Sequence, residues 1–346
     1  MKNLIVPFIL LLTLVFSCTS NDMEEGLEKK KTSYDVYVAG RENNKACFWK
    51  NTIKTELNNG DAIGTLDIII ENNDIYITGI SLPNTTSNGI EYFWKNNVRT
   101  DVKQYLNIPN NAQYSIERFT VNNGNIYFAG YVENPTTTST LDKFELCFWK
   151  NGVKNILYKS QYKSRVEGLI IDGTDVYVSV QKVDNNQIND KGYFKNTIFT
   201  SIQADYINNF AKNSNGIHLL IYKNKAYHSL NLNSNTQTVI GDFVLPIMFG
   251  KLVSDKSTID LYTTHSNAGE YHKNSTLITS SFSQLPEIQN LFVLDNNIYM
   301  IKYKFDSGYN AKVIINGVES QDISSTISSG SVYYPSTFNS IFVVEN

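Results

Sequence analysis

Few residues in this chain are of types and spacings that could do chemistry, and the most suggestive are acidic. Glu117 and Glu167 sit in matching contexts, SIERFTV and RVEGLII, and Arg118 directly follows the first. Two carboxylates can share the work of general acid and general base, and a neighbouring guanidinium can grip a polar or anionic ligand. Asn208, Gln289 and Asn339 hold the corresponding places in later segments. Polar side chains repeated in step with a fold are also what a water-filled opening requires, so a binding role for Glu117, Arg118 and Glu167 competes with simple solvation.

Other chemistry is poorly represented. His218, His228, His265 and His272 show no tight ligand spacing, and no phosphate loop, nucleophile elbow or CxxC pair is present. The oxygen-rich stretch VDNNQINDKG (183–192) lacks the spacing of a calcium loop and reads as a polar turn. No metal and no cofactor is expected. Net charge is −3 with a pI near 5.9, which argues against nucleic acid as a partner. Of three cysteines, Cys47 and Cys147 occupy the same place in a repeated pentapeptide. They read as small apolar strand residues, with their pairing left open.

That pentapeptide leads to the elements. CFWKN occurs at 47–51 and 147–151, with YFWKN at 92–96. A second phrase accompanies it: DVYVAG (35–40), DIYITG (74–79), NIYFAG (125–130) and DVYVSV (175–180). Weaker copies follow as GIHLLI (216–221), DLYTTH (260–265) and NIYMIK (297–302). The seven copies start 37 to 51 residues apart, the period of propeller blades. Four of them are preceded by an apolar run and an Asn-Asn, Asn-Gly or Asp-Gly turn, LDIIIENN (66–73), FTVNNG (119–124), LIIDG (169–173) and LFVLDN (291–296), a strong hairpin signal. The aromatic strand and a short fourth strand come after the phrase.

The ends of the propeller segment complement each other. It enters at a second strand, and the final NSIFVVEN (339–346) matches a first strand, LDIIIENN, with no second strand behind it. An all-β, seven-bladed propeller of four-stranded antiparallel blades is expected over 33–346, closed by pairing of the last strand with the first blade. Trp49, Trp94 and Trp149 then share one blade position, as do the repeated tyrosines, so packing is expected of them rather than sugar stacking. Lys50, Lys95, Lys150, Lys195 and Lys273 mark solvated strand ends. The connections 80–91, 131–145 and 181–190 are long and expected on one face, where such scaffolds carry function.

The order of the strands resembles kelch-like propellers, although kelch blades carry Gly-Gly where this chain has Ala39-Gly40 or Thr78-Gly79. DVYVAG paired with FWKNG is similar to a family of propeller lipoproteins from Bacteroidota, a resemblance strong in blades one to four and loose beyond. It implies a cell-envelope location and brings no activity. The N-terminus agrees: residues 1–17 read as a signal peptide, because the apolar run Leu4–Phe16 is too short to span a bilayer. Val15-Phe16-Ser17-Cys18 resembles a lipobox, making Cys18 the lipidation site, and residues 18–32 read as a flexible tether. The expectation is a lipoprotein held to the outer membrane by its lipid, with display on the cell exterior left open. It would be a non-catalytic propeller that binds a glycan or an envelope protein. The alternatives are a polysaccharide-acting enzyme using Glu117 and Glu167 and a structural subunit of a surface complex.

Overall fold

A computed structural model describes residues 33–82, 89–184, 187–242, 250–264, 269–279, 282–306, 308–326 and 335–346. Residues 1–17, expected as a signal peptide, residues 18–32, expected as a lipidated tether, and His265 lie outside the described residues. Val36–Val344 form one compact unit; Met1–Asp35 and Glu345–Asn346 group separately, and there the Asn346 amide donates to the Ser33 carbonyl at 2.9 Å.

The compact unit is a seven-bladed propeller of four-stranded antiparallel sheets. Blade 1 orders Thr337–Glu345, Tyr34–Glu42, Lys45–Lys50 and Ile53–Asp61 from first strand to fourth, so the C-terminal strand supplies the piece the N-terminal segment lacks. Blade 2 comprises Ile63–Glu71, Asp74–Ser81, Tyr92–Lys95 and Val98–Asp101, and blade 3 Tyr114–Asn122, Asn125–Glu133, Phe144–Lys150 and Val153–Ser160. Blades 4 to 7 begin at Arg165–Asp172, Tyr206–Asn213, Lys251–Ser254 and Glu287–Leu294. Neighbouring first strands contact one another around the ring, which makes them the innermost layer.

The repeated phrases turn out to be one interlocked device. The Asn that ends FWKN adopts a left-handed conformation, φ 48–55°, at Asn51, Asn96, Asn151, Asn196, Asn274 and Asn316, where asparagine tolerates the turn. In each of these six blades its Oδ1 accepts the amide of the second strand (Val36, Ile75, Ile126, Val176, Leu261 or Ile298) at 2.8–3.0 Å. Its own amide donates back to the carbonyl of the same residue at 2.7–2.9 Å. Where an Asp opens the second strand it binds the Asn Nδ2 and the preceding Lys together: Lys95 reaches Asp74 at 2.8 Å, Lys195 reaches Asp175 at 2.8 Å and Lys273 reaches Asp260 at 2.7 Å. The five repeated lysines lie over Tyr37, Tyr76, Tyr127, Tyr177 and Tyr262, 5.3–5.7 Å from the ring centres. They are strand ends, as expected, but tied down rather than merely solvated. Blade 5 keeps only the backbone half of the device, with the Leu232 amide on the Ile217 carbonyl at 2.9 Å.

The tryptophans pack. Trp49, Trp94 and Trp149 are buried, and Phe194, Leu230, His272 and Ile314 fill the same place in blades 4 to 7. The Trp94 indole also crosses a seam, donating to the Asn58 carbonyl of blade 1 at 2.9 Å. Cys47 and Cys147 are buried free thiols, and desolvation pushes both up to about 12.

One expectation requires correction. The stretch 181–190 is not a loop: Asp175–Asp184 and Gln187–Lys195 run on as a hairpin through it. The ladder persists because Lys182 lies opposite Asp190, pairs with it at 3.2 Å and covers the Phe199 ring at 3.8 Å. Connection 131–145 is shortened at both ends by strand and holds the single turn Thr140–Asp142. Half of connection 80–91, residues 83–88, lies outside the described residues.

Candidate binding site in the central channel

A glycine and a bulge create the site. In blade 3 the first strand pairs Ile116 with Gly130 and Arg118 with Ala129, leaving Glu117 as the extra residue. A Cβ on Gly130 would lie 2.0 Å from the Ser115 carbonyl, so the final Gly of NIYFAG is what allows the bulged strand to approach. Matching bulges leave Leu66, Glu167 and Gln289 extra in blades 2, 4 and 7, and Asn208 with Asn209 in blade 5. Glu117, Glu167, Asn208 and Gln289, all identified in the sequence, therefore share one structural cause.

Glu117 and Glu167 do come together across the seam between blades 3 and 4. Glu117 Oε2 accepts the Val166 amide at 2.5 Å, one residue before Glu167. Arg118 Nη1 donates to the Glu117 carbonyl at 2.7 Å and Nε to the Glu167 carbonyl at 2.9 Å, while Nη2 lies 3.7 Å from Glu167 Oε2. Glu167 Oε1 accepts Gln181 Nε2 at 2.7 Å and has Arg165 Nε at 3.8 Å. Burial raises the Glu117 carboxyl to about 7, helped by repulsion from Glu167 and opposed by the Val166 amide, Arg118 and Arg165. Two amide groups here, Gln181 Oε1 and Asn208 Nδ2, are buried without a hydrogen-bond partner among the described residues.

The ring one position further along was not singled out from the sequence. It reads Ser340, Asp67, Arg118, Gly168, Asn209, Lys251 and Asn290 from blade 1 to blade 7, each set by the register with its second strand where that pairing is described. Its members bond between blades. Lys251 Nζ donates to Asn290 Oδ1 at 3.1 Å, Asn290 Nδ2 to Ser340 Oγ at 3.4 Å, and Ser340 Oγ to Asp67 Oδ1 at 2.5 Å. Asn209 clasps Leu252 of blade 6 through both its amide and its carbonyl, at 2.8 Å each. Lys251 is reached by water yet walled by the ring, so desolvation holds its ammonium below the usual lysine range. Asp67 opposes that shift and Arg118 adds to it. Part of the signal was available in the sequence: Asp67, Arg118, Gly168 and Asn290 each directly follow a bulge position.

The histidines go elsewhere. His218 sits between Ser229 at 2.7 Å and Asn213 at 3.1 Å, and His228 contacts the Lys223 carbonyl at 3.2 Å. Among the described residues no cluster of three or more His, Cys, Asp or Glu is arranged to hold a metal.

No family model and no curated protein matches the sequence. Solved structures do. Apo AztD from Citrobacter koseri superposes with a TM-score of 0.51 at 10% identity, over 91% of this chain and 98% of that one. A chain of a nidogen/laminin complex aligns over 90% of this chain and 98% of its own, at 11% identity and a TM-score of 0.38. The likeness is one of fold alone.

Proposed function

We propose that this protein is a non-catalytic binding propeller. Its ligand, a glycan or an envelope protein, enters the channel and is held by Arg118, Glu117 and Glu167 with the ring of Asp67, Lys251 and Asn290. One observation carries the reading: both carboxylates already have protein donors, Glu117 the Val166 amide and Glu167 the Gln181 amide, with arginines beside it. A hydrolytic pair needs one carboxyl free to give a proton and another free to receive one or attack. Mixed charge and two buried amide atoms without a partner among the described residues, Gln181 Oε1 and Asn208 Nδ2, suit a polar, uncharged or zwitterionic ligand instead. Glycan-array binding by the purified protein tests this. Saturable binding to one glycan class, lost in Arg118→Ala, supports it. Silence across the array removes the glycan and leaves a protein partner.

A second reading draws on Glu117 itself, because a carboxyl raised to about 7 is poised as a general acid. Release of reducing sugar from a bound glycan, abolished in Glu117→Gln, would favour it over binding alone.

The resemblance to Bacteroidota propeller lipoproteins supports placing the protein at the outer membrane, anchored through Cys18. Metabolic labelling with a fatty-acid analogue tests the anchor: label should enter the wild type and be absent from Cys18→Ala.

A further inference from the structure

Two seams built from the same parts end differently. Between blades 1 and 2, buried Leu57 is followed by Asn58, whose carbonyl takes the Trp94 indole N–H. Between blades 2 and 3 the equivalent buried residue is Val102, which opens a one-turn helix, Val102–Tyr105, capped by the Asp101 carboxylate on the Gln104 amide at 3.0 Å. The helix turns the next carbonyl, that of Lys103, away to accept the Ile108 amide at 3.0 Å. The acceptor that Trp94 has is therefore withdrawn from Trp149. Trp149 is fully buried, and its indole N–H has no partner among the described residues.

A pocket of about 260 Å³ opens at the same place, lined by Leu106, Ile108, Pro109 and Val132 with Trp149, and by Lys154 at its polar side. That is several times the share of one water molecule, about 30 Å³ in the liquid. Four apolar walls leave a cluster of waters few partners. Lys154 shares buried Glu145 with Lys159, at 2.8 and 3.5 Å, so its ammonium is tied down by the protein itself. A buried donor without an acceptor costs free energy that a bound carbonyl would recover.

We propose that the seam between blades 2 and 3 is a second binding site, separate from the channel. It takes a compact aliphatic group bearing a neutral carbonyl, such as a short acyl amide. The apolar body packs on Leu106, Ile108, Pro109 and Val132, and the carbonyl oxygen accepts the Trp149 indole N–H.

The test uses the full chain labelled with ¹⁵N-tryptophan, whose three indole signals come from Trp49, Trp94 and Trp149. Titration with isobutyramide should move one signal saturably, and that signal should be the one missing from Trp149→Phe. The variant keeps a six-membered aromatic ring and loses the donor, so binding should weaken about tenfold. Isobutyrate should bind more weakly than the amide. Ile108→Phe fills the pocket while keeping the indole and should abolish the shift, which guards against a Trp149 variant that fails to fold. Trp94→Phe, whose donor already has a partner, should leave binding unchanged. No saturable shift into the tens of millimolar, a shift that survives Ile108→Phe, or an indole that answers to water alone would overturn the site.

Discussion

The interlocked device of the turn asparagines (the rim clamp) and the channel ring are built on neighbouring strands of the same blades, yet they obey opposite rules. At the rim the same Asn returns in six blades, with Asp, Lys and Tyr around it in several, making the same bonds each time. In the channel seven equivalent positions carry seven choices from six residue types: Ser340, Asp67, Arg118, Gly168, Asn209, Lys251 and Asn290. A rim residue answers only to its own blade, so a solution that works once works again. A ring residue meets different partners at each seam, and seven like charges around one channel would repel. Variation at an equivalent position therefore marks where the molecule is free to recognise something.

The comparison breaks most readily at the packing layer that separates the two. Trp94→Ala should cost about 3–5 kcal/mol, since it empties a fully buried site and orphans the Asn58 carbonyl. Denaturant unfolding would show it, and a loss under about 1 kcal/mol would sink the packing role.

Glu117 tests the ring. Its folded value of about 7 stands above the ordinary 4.5, so the folded protein keeps a proton that the unfolded chain has lost between those values. Stability should be full below pH 4.5, fall as pH rises to about 7, and then level off. The fall from this group is about 3 kcal/mol. Glu117→Gln should remove it, be more stable than wild type at pH 8 and match it near pH 4. Parallel profiles for the two proteins would show that the carboxyl is not desolvated.

The clamp sharpens the other side. Asn96→Ala loses the bonds to Ile75 and Asp74 and strains a position at φ 48°, for about 1–2 kcal/mol. Asn96→Gly restores the backbone freedom and should recover part of that loss. Equal losses in the two would assign the whole effect to the side-chain bonds.

Legibility followed the same division. FWKN and DVYVAG announced the blades, their number and the closing strand, because each repeats a local requirement: a turn, an alternation, an aromatic at a seam. Glu117, Glu167 and Asn208 were visible as equivalents for the same reason. The hairpin through 181–190 was not, since nothing in VDNNQIND signals that Lys182 and Asp190 will meet across it. Asp67, Lys251 and Ser340 went unnoticed as well, being ordinary residues until the ring brings them together.

The sequence by itself determined the architecture. Positive-φ asparagines, alternating apolar runs and complementary ends are local or pairwise facts, and the first two recur from blade to blade. Only the tertiary structure decided which polar residues matter. The Glu117 carboxyl is raised by burial and by a neighbour 50 residues away, and the Trp149 indole lacks an acceptor because a helix in the previous blade turned it aside. Those properties belong to seams between blades, and a seam is set by residues that no stretch of sequence brings side by side.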